Sequence, residues 1–143
     1  GKNNKLFKMP KFRSMKKNVP MIATHLLEKP ESKITAIGKV LRKYSLDELP
    51  QIISLFQGNM TIVGPRPALF NQYDLIKLRE EKNIHTILPG ITGLAQINGR
   101  DNISLEEKVG YDYIYLVNKS FFYDLKIIFL TIFKIIKSKD ISH

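Results

Sequence analysis

Cysteine and tryptophan are absent from this chain of 143 residues, and its three histidines are scattered along it. Without cysteine there is neither a disulfide framework nor a thiolate nucleophile, as is common in reducing compartments. His25, His85 and His143 are too widely spaced to suggest a histidine-based metal site. No window of about 18 apolar residues occurs, so the sequence predicts no straight helix that spans a bilayer. Disulfide-rich domains and cysteine-dependent enzymes are therefore excluded as classes.

Acidic residues are scarce relative to basic ones: 13 Asp and Glu stand against 23 Lys and Arg, a formal net charge of +10. A basic surface attracts polyanions, which include nucleic acids, anionic membranes and phosphorylated small molecules. Basic residues are dense in residues 1–18, which predicts either a lysine-protected edge strand or a contact with phosphates or headgroups. The length and the 43% apolar content suit one domain with a modest core.

Two adjacent carboxylates, Asp47 and Glu48, stand out in the segment 41–51. Ser45 precedes Glu48 by three residues, which is the spacing of a capping box at a helix start. Pro50 is tolerated in a first helical turn. The acids are therefore expected at the positive end of a short helix, where a phosphate or a metal with a phosphate is stabilised. The alternative is that Glu48 caps this helix and Asp47 only complements its dipole.

Two arginines are held by turn residues. Arg66 lies between Pro65 and Pro67, which restrict the backbone around it, and Arg100 follows a turn predicted at 98–99. A guanidinium in a fixed position suits bidentate binding of a phosphate. The alternative is a rigid turn with an exposed arginine.

The pattern along the chain predicts an α+β fold with short helices around a small β-sheet or hairpin. Residues 60–63 and 94–97 are the predicted strands, and Ser104 is the predicted N-cap of a helix. In the segment 121–137, Lys126, Thr131, Lys134 and Lys137 form one polar stripe on an otherwise apolar helix. Such a helix is either a central core helix or an amphipathic helix at a membrane interface.

Six stretches in sequence order resemble the motifs of one family. They are 11–15 (KFRSM), 41–51 (LRKYSLDELPQ), 64–67 (GPRP), 89–96 (PGITGLAQ), 98–100 (NGR) and 123–126 (YDLK). Together they make the chain similar to the bacterial sugar transferases, the monotopic polyprenyl-phosphate phosphoglycosyl transferases that begin capsule, exopolysaccharide and glycoconjugate assembly. The resemblance covers essentially the whole chain, so a single catalytic domain over 1–143 is expected.

The resemblance implies a reaction and its partners. A sugar 1-phosphate passes from a UDP-sugar to a polyprenyl (undecaprenyl) phosphate at the cytoplasmic face of the bacterial plasma membrane, and UMP is released. The family uses Mg²⁺ and a covalent route. The matching residues imply that Asp47 attacks the β-phosphorus and that Glu48 holds Mg²⁺.

The resemblance also assigns further site residues. Arg42, Arg66 and Arg100 match family arginines around the phosphates. Asp112 and Asp124 match family acids near the site, and the resemblance gives neither a defined role.

The sequence departs from the family pattern at two places. The hydrophobic N-terminal helix of the family is missing, so an N-terminally truncated catalytic domain is expected. Leu105 stands where the family pattern leads us to expect tryptophan.

Two alternatives without catalysis are a basic nucleic-acid-binding module and a membrane-surface scaffold. No recognised nucleic-acid-binding motif occurs, so a nucleic-acid partner is not expected.

Overall fold

The computed structural model describes residues 1–17, 19, 30–44, 46–99 and 102–140. Its α-helices are α1 (Ala36–Lys43), α2 (Ile52–Phe56), α3 (Tyr73–Glu81), α4 (Leu94–Ile97), α5 (Leu105–Asn118) and α6 (Phe121–Asp140), and its strands are β1 (Thr61–Val63) and β2 (Gly90–Thr92). Short 3₁₀ helices cover Lys2–Asn4, Pro30–Lys33, Leu46–Gln51 and Ile84–Thr86. The predicted α+β class is confirmed, with helices around a small sheet. Ser45 and Arg100 lie outside the described residues.

The sheet consists of β1 and β2, which pair in parallel with Thr61 opposite Gly90. Parallel strands need a crossover connection, and α3 lies within it. The predicted strand at 94–97 is wrong, because this segment forms the single-turn helix α4, whereas the turn predicted at 98–99 is present. The Asn98 side chain donates a hydrogen bond to the Leu94 carbonyl at 2.8 Å. This carbonyl therefore has a partner without a neighbouring strand.

Two apolar clusters form the core, and α5 contributes to both. One cluster contains Val63, Ile97, Tyr115 and Ile127, and the other contains Leu75, Ile84 and Val109. Helix α5 packs against α3 and α4, while α6 packs against α4 and both strands. The predicted N-cap at Ser104 is confirmed: it forms a capping box with Glu107 that starts α5. Leu105 packs against the second cluster.

Helix α6 lies on the surface, so the alternative of a central core helix is wrong. Of residues 121–136 in this helix, Ile127 is the buried one, at 1% exposure. Thr131 Oγ1 lies 2.8 Å from Thr92 Oγ1, and Lys134 Nζ donates to the Ile97 carbonyl. Of the predicted polar stripe, Thr131 and Lys134 therefore turn towards the domain. The opposite face leaves large apolar side chains exposed: Phe121, Phe122, Leu125, Phe129, Ile132, Phe133 and Ile136.

Among the described residues, no helix combines the length and the apolarity that a transmembrane segment needs.

Gly90 in β2 has no room for a side chain, because backbone atoms at the end of β1 lie against it. A Cβ at Gly90 would lie 2.1 Å from Gly64 N and 2.6 Å from Val63 C, both backbone atoms. Gly90→Ala should therefore lower the free energy of unfolding by about 1–3 kcal/mol. Gly110, inside α5, is the matched control because nothing lies within 4 Å of its Cβ position. Gly110→Ala should raise that free energy by about 0.5–1 kcal/mol.

Urea unfolding of the parent and both variants measures the difference. Equal stability of the parent and Gly90→Ala would contradict the close approach of the strands.

Candidate active site

The two adjacent acids lie on the 3₁₀ helix Leu46–Gln51, between α1 and α2. The predicted short helix ending near Phe56 is confirmed, in the form of this 3₁₀ helix followed directly by α2. The backbone N–H of Phe12 donates to the Asp47 carbonyl at 3.0 Å. This hydrogen bond ties the N-terminal segment to the turn that carries the acids.

Glu48 is bound by two cations. Its Oε1 lies 2.7 Å from Arg66 Nη2 and 3.1 Å from Lys11 Nζ, and its side chain is 12% exposed. Burial alone would raise the pKa of Glu48, but the opposing charges and hydrogen bonds of Arg66 and Lys11 lower this pKa to about 2. Glu48 is therefore ionised at any physiological pH.

Asp47 has a different environment from its neighbour. Its side chain is half-buried, and no described side chain forms a hydrogen bond or an ion pair with its carboxylate. Of two adjacent carboxylates, one is thus neutralised by cations and the other keeps its oxygen lone pairs available. This difference suits two separate chemical tasks.

The loop at 64–67 presents Arg66 to Glu48. Gly64 N donates to the Thr92 carbonyl at 2.8 Å, and Gly90 N donates to the Pro65 carbonyl at 2.9 Å. Both hydrogen bonds attach the loop to β2. With a proline on each side, Arg66 has little backbone freedom, so its guanidinium starts from a nearly fixed position.

An open cleft of about 500 Å³ lies beside Glu48. Its charged lining residues are Arg42, Lys43, Arg66, Lys134 and Glu48. The apolar ones are Leu46, Leu49, Ile52, Ile91, Ile97 and Ile135, and the other polar ones are Tyr44, Thr92, Gln96 and Thr131. Because four cationic side chains accompany one carboxylate, the cleft attracts anions. Because its other walls are largely apolar, it also accepts hydrocarbon.

Arg42 is positioned by the segment 11–15. Its Nε donates to Ser14 Oγ at 2.9 Å, and Ser14 is buried at 6% exposure. The Ser14 carbonyl in turn accepts from Thr35 N at 3.0 Å, at the start of α1. The N-terminal segment therefore holds Arg42 at the cleft. Of the predicted edge strand, the described residues form one isolated antiparallel bridge, between Met15 and Ile34.

The remaining predicted site residues lie elsewhere. Asp112 is 1% exposed and pairs with Arg79, and neither residue lines the cleft. Burial raises the pKa of Asp112 although Arg79 opposes the rise. Asp124 accepts a hydrogen bond from Tyr115 Oη at 2.8 Å, and burial together with Asp124 raises the pKa of Tyr115. Arg100 lies outside the described residues. A contact of these three with substrate stays a prediction.

The described residues hold no group of three or more histidine, aspartate or glutamate side chains that would bind a metal by themselves. Mg²⁺ needs only one or two carboxylates when phosphates and waters supply its other ligands. Glu48, which lines an anion-attracting cleft, fits this kind of site.

The family model described as "Bacterial sugar transferase" matches residues 1–138. The chain belongs to the bacterial sugar transferase family. It is 41% identical over 142 residues to the uncharacterized sugar transferase EpsL of Bacillus subtilis, covering 99% of this chain and 69% of that protein.

Two other relatives of this sugar transferase are named for a substrate. The UDP-glucose:undecaprenyl-phosphate glucose-1-phosphate transferase of Klebsiella pneumoniae is 40% identical over 141 residues. The undecaprenyl-phosphate galactose phosphotransferase of Salmonella typhimurium is 33% identical over 147 residues. These alignments cover 94% and 92% of this chain, and the chain spans 30% of the length of each relative.

The sequence analysis did not name two residues that support this sugar transferase site. Lys11 lies in the matching stretch 11–15, but only the fold shows that it contacts Glu48. Arg79 lies in a charged stretch of α3, although it follows the buried Leu75 by four residues. Residues four apart share a helix face, so this spacing is the one indication that Arg79 is buried.

The low pKa of Glu48 gives a prediction for acid titration. Because this pKa is lowered from 4.5 to about 2, the ionised side chain stabilises the fold fully above pH 4.5 and loses this contribution as the pH falls through 2. Lys11→Met should raise the pKa of Glu48 towards its ordinary value, because one of the two cations is removed. Lys8 is exposed in the same basic segment, so Lys8→Met is the control and should leave the pKa unchanged.

Titration of the carboxyl carbons by ¹³C NMR measures these values. A Glu48 that titrates near pH 4.5 in the parent protein would contradict the ion pairs.

Proposed function

We propose that this chain transfers a sugar 1-phosphate from a UDP-sugar to a polyprenyl phosphate and releases UMP. The observation that carries the proposal is the pair of adjacent acids with unlike environments: Glu48 lines a cleft with four cationic side chains, and Asp47 precedes it on the same 3₁₀ helix. The name of the Klebsiella relative supports this class of donor, and the names of the Klebsiella and Salmonella relatives support this class of acceptor.

The cleft suits both substrates of this reaction. A diphosphate carries negative charge that the side chains of Arg42, Arg66 and Lys134 attract. A polyprenyl phosphate combines an anionic head with a hydrocarbon chain, and the apolar walls of the cleft accept the first part of such a chain. One cleft is thus enough for two substrates that bind in turn.

In the proposed mechanism, Asp47 is the nucleophile. Its carboxylate oxygen attacks the β-phosphorus of the UDP-sugar, and the bond between this phosphorus and the bridging oxygen breaks. The bridging oxygen leaves on UMP with the bonding electrons, and an acyl phosphate joins the sugar to Asp47. A phosphate oxygen of the acceptor then attacks the same phosphorus and regenerates the free carboxylate. Two displacements replace one, and neither requires a proton transfer.

The cationic side chains stabilise both displacements. Charge develops on the oxygens of the transferring phosphoryl group, and a fixed guanidinium stabilises it without having to reorient. Arg66 meets this requirement because its loop is attached to β2. Glu48 would hold Mg²⁺ together with substrate phosphates, and the ion would neutralise phosphate charge.

We further propose that the domain works at the cytoplasmic face of the bacterial plasma membrane. The exposed apolar face of α6, including Phe121 and Phe129, and the net positive charge both support an interfacial position. An acceptor with a long hydrocarbon chain is found only in a membrane, so the cleft has to lie near its surface.

The test is UMP release with a panel of UDP-sugars, undecaprenyl phosphate and Mg²⁺. Asp47→Asn should lower the rate at least about a thousandfold, because the covalent nucleophile is lost. Asp74 is an exposed acid in the first turn of α3, so Asp74→Asn should keep the parent rate. Circular dichroism and thermal melting show whether each variant is folded.

A folded Asp47→Asn protein with the parent rate would overturn the proposal. Absence of UMP release with every UDP-sugar, while the protein still binds anionic vesicles, would favour a membrane-surface scaffold.

A further inference from the structure

We infer that the buried pair Arg79 and Asp112 positions Arg66 for the reaction. This inference rests on the proposed function, and it assigns to Asp112 an indirect role through two arginines. Neither member of the pair lines the cleft.

Arg79 forms a three-part contact in the interior. It is 8% exposed and Asp112 is 1% exposed. Its Nε and Nη2 donate to Asp112 Oδ2 at 3.0 Å and 2.6 Å. Its Nη1 donates to the backbone carbonyl of Arg66 at 2.8 Å. One planar guanidinium therefore joins α3, α5 and the loop at 64–67.

Two successive backbone carbonyls of the loop, those of Pro65 and Arg66, each accept a hydrogen bond from a neighbouring element. The preceding carbonyl, of Pro65, accepts from Gly90 N at 2.9 Å. Neither Pro65 nor Pro67 has a backbone N–H, so neither proline can attach the loop by donating a backbone hydrogen bond. With both carbonyls bound, the Arg66 side chain reaches Glu48 Oε1 at 2.7 Å.

The pair is better explained by positioning than by stability alone. A buried ion pair often adds little stability compared with apolar residues of similar size, because both charges lose their water. Arg79 directs one of its donors to the active-site loop. A displacement of about 1 Å at a catalytic group can lower a rate about a hundredfold. Arg79 prevents such a displacement of Arg66.

Arg79→Lys is the most informative variant. It keeps the charge beside Asp112, but an ammonium group lacks the planar set of donors that reaches both Asp112 and the Arg66 carbonyl. It should lower kcat/KM for UMP release by about 10-fold to 100-fold. In an Arg66→Ala background, the same substitution should change kcat/KM less than about twofold, because the positioned group is already gone.

Val109→Ala is the matched control for a general loss of stability. Val109 is on α5, one turn from Asp112, and packs in the core with Leu75 and Ile84. Removing its two methyl groups lowers the melting temperature without touching the arginine contacts. Measured at a temperature at which all variants are folded, kcat/KM of Val109→Ala should stay within about twofold of the parent.

A spectroscopic measurement is independent of turnover. The ¹⁵N–¹H resonance of Arg66 Nε, assigned by its loss in Arg66→Ala, should shift or broaden in Arg79→Lys and stay in place in Val109→Ala. If Arg79→Lys does not fold, Asp112→Asn serves as the second variant, since it keeps the side-chain shape and weakens the hold on Arg79.

The results separate this inference from the proposed function. If the parent releases no UMP from any UDP-sugar, the proposed function fails, and the Arg66 resonance still decides the positioning role. An unchanged resonance in Arg79→Lys would overturn the inference. So would an equal loss of kcat/KM in Val109→Ala, or an undiminished effect of Arg79→Lys in the Arg66→Ala background.

Discussion

The ion pair between Glu48 and Arg66, with 2.7 Å between Oε1 and Nη2, joins segments 18 residues apart in sequence. One partner lies on a 3₁₀ helix and the other on a loop with two prolines, and both elements are short. Each is therefore held from outside: the helix by the hydrogen bond from Phe12 to Asp47, and the loop by β2 and Arg79. The small parallel sheet and α3 provide the framework for these attachments.

The same ion pair distinguishes two acids that are neighbours in sequence. Cations neutralise Glu48 and lower its pKa to about 2, whereas Asp47 has no partner among the described side chains. This difference between the two acids suits the proposed phosphosugar transfer. A nucleophile needs a free lone pair, and a metal ligand needs a permanent negative charge. The chain obtains both from two adjacent carboxylates.

The sequence predicts the charged residues at the site better than it predicts the residues that hold them in position. Asp47 and Glu48 are recognisable as adjacent acids, and Arg66 is recognisable by its flanking prolines, because these signals are local. Arg79 and Lys11 are not recognisable in this way, since the contacts that define them join distant segments. Asp112 was expected near the site without a defined role, and it is bound to Arg79, whose guanidinium also donates to the Arg66 carbonyl.

The fold, too, was predictable where residues close in sequence determine it and was not predictable where distant residues do. The N-cap at Ser104 and the helix α5 that it starts are set by nearby residues, and they were predictable. The strand expected at 94–97 was wrong because four apolar residues do not distinguish a strand from one helical turn. The direction of Thr131 and Lys134 on α6 depends on β2 and α4, which lie far away in sequence.

The covalent step is the central claim, and intact-mass measurement tests it most directly. The protein would be incubated with a UDP-sugar and Mg²⁺ but without polyprenyl phosphate, and the modified peptide would then be mapped. We expect a mass increase of one sugar phosphate on Asp47, lost when undecaprenyl phosphate is added and absent from Asp47→Asn. An adduct of the same mass that persists in Asp47→Asn would contradict the assignment of the nucleophile.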